Sequence, residues 1–328
     1  MGYQDIVTVA VVNFRPFWGR KDRNLSRIVE YSKKAAAQGT DIILFPELAL
    51  TGFENEKNVP WEEKMQVREA ELIDGPSVTV VSKAAVENQI IIVFGMPELD
   101  LMDGRKVYNT AVVCGKDGSV QSYRKIHPAN DESEWCNKGD SPLLLETEWG
   151  PVGVGVCYDT YSFPELLRYY ACKGARLYLN ITAMLCEGVL GFDWKSNYYD
   201  TLRYAVIAND IFVASSNIAG IDVIQEDFCN AVGNETVKSP MLFAGASVIM
   251  GPGTFNKVHV YAGGLENREA GLFISTLDLS GASRMIYGKN PYTGVPDYRP
   301  DIYKKLCEDL ISSQQEKKGK NYCANCLD

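Results

Sequence analysis

Residues 150–183 read GPVGVGVCYDTYSFPELLRYYACKGARLYLNITA, and this stretch decides the fold class. GPVGVGV is a short apolar run punctuated by glycine, the pattern of a buried strand. FPELLRYYACKGA spaces its apolar residues as a helix does, and RLYLNITA is another short apolar run. Strand, helix and strand therefore follow one another here. Upstream the same order recurs: VTVAVVNF (7–14) is a strand, NLSRIVEYSKKAAAQG (24–39) is an amphipathic helix closed by Gly39, and DIILFPE (41–47) is a strand running into a sharp turn. SVTVVSKAAVENQ is then helical, while IIIVFGMPE, TAVVCG and GSVQSYRKIH read as strands. Downstream, WKSNYYDTLRYAVIAND is a helix, IFVASSNIAG, SVIMGPG and GLFISTLDL are strands, and DIYKKLCEDLISSQQEKK is a terminal helix. Such alternation argues an α/β protein with buried sheets. Short linkers and the lack of a repeat predict one domain over residues 1–300, with a C-terminal helix and tail over 301–328.

With 33 basic against 42 acidic residues and a net charge of −9, the chain has little with which to neutralise phosphates, so no nucleic-acid partner is expected. No run approaches the roughly 18 apolar residues of a membrane span, and MGYQDIVTVAVVNF has no basic leader; a cytoplasmic protein without a membrane partner is expected. The nine cysteines are an odd number, and several lie in apolar segments as buried reduced thiols do. Cys323 and Cys326 have the spacing of half a metal or redox site. With one such pair and two histidines in the chain, a floppy tail is the simpler reading, and no metal or cofactor is expected.

Three reactive residues each follow an apolar run: Glu47 ends DIILFPE, Lys125 lies in SYRKIHP, and Cys157 ends GPVGVGVC. Loops at the carboxyl ends of strands are where α/β sheets carry their sites. A thiol of ordinary pKa near ~8.5 is mostly protonated at neutral pH and needs a base or a nearby cation. His127 and His259 are the only histidines, and the sequence offers neither an evident Asn or Asp partner. A carboxylate can take the thiol proton and return it to a departing nitrogen, while a lysine steadies the thiolate and a developing oxyanion. Cys136 competes on paper but lacks the preceding strand and following helix that would hold it.

The segments FPELALTGF (45–53), YRKIHP (123–128) and GVGVCYDTYSFPE (153–165) resemble, in this order, the three motifs of the carbon-nitrogen hydrolase, or nitrilase, superfamily. The likeness extends over about residues 5 to 285. It implies a four-layer αββα sandwich, with Glu47 as general base and acid, Lys125 as electrostatic partner and Cys157 as nucleophile. A second glutamate is implied between lysine and cysteine; Glu132 is preferred over Glu134 on its spacing to Gly139. The backbone amide of Tyr158 is the implied oxyanion donor, and Glu165 sits in the first turn of the following helix. Pairing of helices on the outer face implies a homodimer or a larger homo-oligomer.

The same motifs serve amides, N-carbamoyl compounds and nitriles. Nitrilases of the superfamily usually have Trp-Glu after the cysteine, where this chain has Tyr158 and Asp159. Carbamoylases and dicarboxylate-monoamide amidases often have arginine three or four residues after the cysteine, where Thr160 and Tyr161 stand. An uncharged or cationic primary amide is therefore the leading small-molecule substrate, and an N-carbamoyl amine the runner-up. Nitrile hydrolysis, acyl transfer and a catalytically silent scaffold are further alternatives. Tyr161, Met184, Phe192 and Trp194 are candidates to line an apolar pocket, and Arg168 and Arg203 are the nearest arginines.

Overall fold

Strand β1 (Ile6–Asn13) puts Val7, Val9 and Val11 on one face and Ala10 and Val12 on the other, and all five are fully buried. A strand apolar on both sides needs a layer against each. Both layers are present in the computed structural model, which describes residues 2–53, 56, 58–186, 193–221, 241–254 and 257–324, with side chains to residue 314. After β1 come α1 (Lys21–Ala36), β2 (Ile42–Leu44), α2 (Met65–Arg68), α3 (Pro76–Asn88), β3 (Ile91–Leu99), β4 (Val107–Cys114) and β5 (Val120–Arg124). The second half adds β6 (Leu143–Thr147), β7 (Gly150–Val156), α4 (Tyr158–Ser162), α5 (Pro164–Cys172), β8 (Leu177–Thr182), α6 (Thr201–Asn209) and β9 (Phe212–Asn217). It closes with β10 (Ala219–Ile221), β11 (Leu242–Ala244), β12 (Val248–Pro252), β13 (Val258–Gly263) and β14 (Gly271–Asp278).

Two six-stranded sheets result, ordered β14-β1-β2-β3-β4-β5 and β13-β12-β9-β8-β7-β6. Each is parallel at its centre and antiparallel at its edges. Val9, Val11, Leu44 and Val93 of the first sheet pack with Val152, Val154, Leu179 and Ile181 of the second. The outer face of the first sheet, through Val12, Ile43 and Phe94, packs on Ile28 and Ala35 of α1 and Val78 and Val81 of α3. Helix α5 covers the second sheet at β7, where the Tyr170 hydroxyl donates to the Val154 carbonyl at 2.8 Å. The order of layers is αββα, as the resemblance implied.

The glycines of GPVGVGV now have a reason. The valines of β7 face the other sheet, and Gly153 and Gly155 face the helices. A Cβ on Gly153 would lie 2.6 Å from the Tyr170 ring, and one on Gly155 would lie 1.9 Å from the Tyr178 hydroxyl.

Three local expectations are refined. The strand predicted over 41–47 stops at Leu44, freeing Phe45–Glu47 to turn. The helix after Cys157 comes in two pieces, α4 and α5, because Pro164 cannot continue the first. The helix predicted over 194–210 contains a π-helical turn at Ser196–Asp200 before α6.

The chain divides into two units, Met1–Ser283 and Arg284–Asp328. In the second, Tyr298 packs on the rings of Tyr287 and Tyr303, and helix Pro300–Ala324 follows. Cys326 and Phe192 lie outside the described residues, as does the side chain of Cys323. Among the described residues no helix is long and apolar enough to cross a membrane.

Because Tyr170 is buried and tied at its hydroxyl, Gly153→Ala is expected to destabilise the fold by about 1–3 kcal/mol, the usual cost of overpacking a core. Urea denaturation read by circular dichroism checks this.

Candidate active site

Strand direction brings the three reactive residues to one rim. Strand β5 is antiparallel to β4, which is antiparallel to β3, so β5 runs with β3 and β2. Glu47, just beyond β2, and Lys125, just beyond β5, therefore emerge at the same end of the first sheet. The turn carrying Glu47 lies directly on β3 at Gly95, where a Cβ would come within 2.3 Å of the Leu48 amide nitrogen. Gly95 is needed for that close approach.

Lys125 and Glu47 are both fully buried, and Lys125 Nζ lies 2.7 Å from Glu47 Oε1. The same ammonium reaches Glu132 Oε1 at 2.9 Å and Oε2 at 2.7 Å. Glu132 sits in a 3-10 turn, Asn130–Glu134, and its Oε2 also accepts the Ala129 amide at 2.7 Å. Glu134, the competing glutamate, is exposed and turns away to an ion pair with the buried Lys64 at 3.2 Å. Asn109, buried in β4, donates Nδ2 to Glu47 Oε1 at 2.7 Å and to Glu132 Oε1 at 3.3 Å, while its carbonyl accepts the Lys125 amide at 2.8 Å. Sequence reasoning missed Asn109. Its signal was one amide side chain inside the apolar strand VYNTAVVC, a position that demands partners.

Cys157 stands between β7 and α4 with φ +47° and ψ −105°, a backbone conformation that side-chain-bearing residues rarely adopt. Such strain costs on the order of 1–3 kcal/mol and persists where surrounding structure enforces it. Here the enforcement is visible: the Cys157 amide donates to the Ile181 carbonyl of β8 at 2.8 Å, and its carbonyl accepts the Thr160 amide at 2.8 Å. Tyr158 follows as the first helical residue, so its N–H has no acceptor within the helix. Tyr161, one turn on, receives a hydrogen bond from Asn180 Nδ2 at 2.9 Å and packs edge-on against Tyr198.

Asp159 fastens the cysteine turn to the lysine loop. Its Oδ2 accepts the Tyr123 hydroxyl at 2.7 Å and the Ile126 amide at 3.2 Å. Its Oδ1 accepts the His127 amide at 2.9 Å and lies 2.7 Å from His127 Nδ1. This corrects the expectation that neither histidine has a carboxylate partner. The pair is thirty-two positions apart in sequence, and only the meeting of the two sheets joins it. His127 stacks on Phe163 at 3.5 Å.

The charges shape one another. Burial pulls the Lys125 ammonium towards neutrality, but Glu132 and Glu47 outweigh it and hold its pKa well above the ordinary value. Burial pushes Glu132 up to about 7, with Lys125 opposing and Glu47 adding to the rise. Burial and the Glu47 carboxylate raise the Cys157 thiol, against Lys125, so the resting sulfur keeps its proton. Cys136 is buried in a small apolar cluster with Leu48, Val107 and Trp135, where burial likewise raises its thiol.

The remaining candidates lie further out. Met184 donates its amide to Asn217 Oδ1 at 2.8 Å, two residues past the end of β8. Trp194 is nearly buried under the guanidinium of Arg268, 5.4 Å from its ring. Arg168 donates to the Ala208 carbonyl at the end of α6. Among the described residues no group of three or more His, Cys, Asp or Glu is arranged to hold a metal ion.

The carbon-nitrogen hydrolase family model matches residues 8–287. The chain belongs to the carbon-nitrogen hydrolase family. The hydrolase is 28% identical over 307 residues to a probable nitrilase of Schizosaccharomyces pombe, covering 91% of this chain and 97% of that one. It is 32% identical over 234 residues to omega-amidase NIT2-B of Xenopus laevis, covering 67% of this chain and 76% of that one. In structure the hydrolase resembles the amidase of Nesterenkonia sp. AN1, in a variant whose active-site cysteine carries the acetamide moiety of fluoroacetamide. The TM-score is 0.68 at 21% identity, over 91% of this chain and 96% of that one. At that identity the likeness bears on the fold. Membership of the family makes this chain an enzyme acting on carbon–nitrogen bonds other than peptide bonds.

A carboxyl whose folded pKa is raised binds its proton more tightly in the native state. The stabilisation is full below the ordinary value of 4.5 and is lost as pH rises through about 7. The stability of the wild type relative to Glu132→Gln is therefore expected to fall between these two pH values, whereas that of Glu134→Gln tracks the wild type. Denaturant titrations across a pH series measure both.

Proposed function

We propose that this hydrolase converts a primary amide to a carboxylic acid and ammonia through a thioester on Cys157. The observation that carries this reading is the division of labour on Glu47. Its Oε1 is occupied by Lys125 and Asn109, while its Oε2, equally buried, has no partner among the described residues. A carboxylate oxygen without a partner, electrostatically coupled to a protonated thiol, is a general base awaiting its proton.

In the proposed cycle the Cys157 proton passes to Glu47 as sulfur attacks the amide carbon. No standing thiolate is needed, in keeping with the raised thiol. The oxyanion of the tetrahedral adduct is met by the Lys125 ammonium and the Tyr158 N–H. Glu47 gives its proton to the nitrogen, the carbon–nitrogen bond breaks, and ammonia leaves an acyl thioester. Glu47 then takes a proton from water as the hydroxide oxygen attacks the thioester carbon, the carbon–sulfur bond breaks to release the acid, and Glu47 returns the proton to sulfur. Glu132 holds Lys125 through both of its carboxylate oxygens, and no step requires a cofactor.

For the substrate we propose a neutral or cationic primary amide, since Thr160 and Tyr161 give a carboxylate no grip. One observation supports a second reading, an amide whose far end is a carboxylate. Met184 and Trp194, both pocket candidates, gather around Arg268: its Nε donates to the Ala244 carbonyl at 3.2 Å, Ala244 bonds back to Met184, and the guanidinium covers Trp194. Nitrile and N-carbamoyl substrates remain the slower alternatives. We also place the expected pairing of copies on the outer helices, where Tyr169, Tyr204 and Ile207 are exposed. The six cysteines whose side chains are described are all free thiols, which suits a cytoplasmic enzyme.

Ammonia release from a matched series tests the reading: one aliphatic chain ending as a primary amide, a nitrile, an N-carbamoyl amine, or an amide with a distal carboxylate. The neutral amide is expected to exceed the nitrile in kcat/KM by at least about 10-fold, ~1.4 kcal/mol, and Cys157→Ala to abolish turnover without loss of fold. A faster carboxylate-bearing amide whose advantage disappears in Arg268→Ala establishes the second reading. Faster nitrile hydrolysis refutes both.

A further inference from the structure

The buried end of β8 holds a polar group that the cycle above leaves unused. Thr182, the last residue of the strand, is fully buried, and among the described residues its hydroxyl has no partner in hydrogen-bond geometry. Its neighbourhood is fixed from two directions. Strands β7 and β8 pair Val156 with Ile181, and the Cys157 amide donates to the Ile181 carbonyl, so Thr182 is the next residue along from the cysteine's own anchor. Along β8, Ile181 points into the core between the sheets, which puts Asn180 and Thr182 together on the opposite face. On that face Asn180 reaches the Tyr161 hydroxyl at 2.9 Å and Ser215 Oγ at 2.9 Å. Thr182 eases deprotonation of both the Cys157 thiol and the Tyr161 phenol, as a hydroxyl within reach of each would.

The other hydroxyls there have partners. The Thr160 hydroxyl bonds to Asn180 Oδ1 at 2.7 Å, and Tyr198 donates towards Ser215 Oγ and the Ala246 carbonyl. Thr182 alone among these is buried with its hydroxyl unspent.

We propose that Thr182 is a further catalytic residue, its hydroxyl donating a hydrogen bond to Cys157 Sγ once the sulfur has lost its proton. The inference rests on Cys157 being the nucleophile. A buried hydroxyl without a partner costs free energy in the resting enzyme, and it gains a strong acceptor when the sulfur becomes anionic. Its interaction is thereby concentrated on the reacting state, which is the condition for raising kcat with little change in KM. The titratable groups facing the thiol are Glu47, Lys125, Glu132, Tyr161 and Tyr198; of these Tyr161 also feels Thr182, and burial holds its phenol well above the ordinary value.

The test compares Thr182→Val, which keeps the shape and removes the hydroxyl, with Thr182→Ser, which restores it. Carbamidomethylation of Cys157 by iodoacetamide is followed by peptide mass spectrometry from pH 6 to 10, alongside kcat and KM on the best amide of the series. In Thr182→Val the alkylation profile is expected to move up by about one pH unit, roughly 10-fold slower at a fixed pH. Its kcat falls on the order of 10-fold or more with KM within about 3-fold, and Thr182→Ser returns both readouts to near wild type. A folded Thr182→Val with the wild-type profile and kcat overturns the proposal, as does a serine variant no better than the valine one. Thr182→Ala is read in the same way if the valine variant does not fold. Turnover retained in Cys157→Ala would instead overturn its role as nucleophile.

Discussion

A lysine ammonium sealed between two carboxylates is the constraint on which the site depends. Alone, a cation as deeply buried as Lys125 would lose its proton or unfold its surroundings. Glu47 and Glu132 prevent that, but two carboxylates exceed what one ammonium neutralises. The imbalance appears at Glu132, held up to about 7. When Glu132 takes up a proton, Lys125 is left paired with Glu47 alone, one of whose oxygens is without a partner among the described residues. In the proposed cycle that pairing lets a carboxylate serve as base in a buried site.

Backbone geometry keeps the arrangement within reach of the cysteine. Glu47 and Lys125 belong to one sheet and Cys157 to the other, so their meeting depends on how the sheets register at one rim. Gly95 lets the Glu47 turn settle on β3, and Cys157 takes its strained backbone at the turn between β7 and α4. Asp159 accepts from Tyr123, Ile126 and His127 across the gap, joining the lysine loop to the cysteine turn. Four hydrogen bonds to one buried carboxylate make that joint stiff, and a stiff joint is what an enforced φ of +47° requires.

Much of this was legible in the sequence. Glu47, Lys125 and Cys157 each follow an apolar run, and a reactive side chain at the end of a buried strand stands out against its setting. The α/β class followed from helices alternating with buried strands, and the four layers from the resemblance to the carbon-nitrogen hydrolases. The spacing argument separated Glu132 from Glu134, and the geometry puts only the former on Lys125. Asn109, Asp159 and Thr182 were harder, because a polar residue within or just after an apolar strand looks alike whether its partner is backbone, solvent or a catalytic group. Their partners lie on other strands or in the other sheet, and sequence spacing carries no information about which strand becomes a neighbour. The π-helical turn before α6 was hidden for a related reason: its apolar spacing is close to that of an ordinary helix.

Strand β14 pairs with β1 along its whole length, Ile6 opposite Asp278 and Asn13 opposite Gly271. Strand β1 thus waits on the ribosome for a strand made much later before its outer edge is covered. Until then β1, apolar on both faces and open along one side, is the kind of template on which chains join wrongly. The order of synthesis therefore makes the assembly of the rim a late, cooperative event governed by a long-range contact. A nascent chain that already contains Glu47, Lys125 and Cys157 still lacks the sheet edge that completes their scaffold.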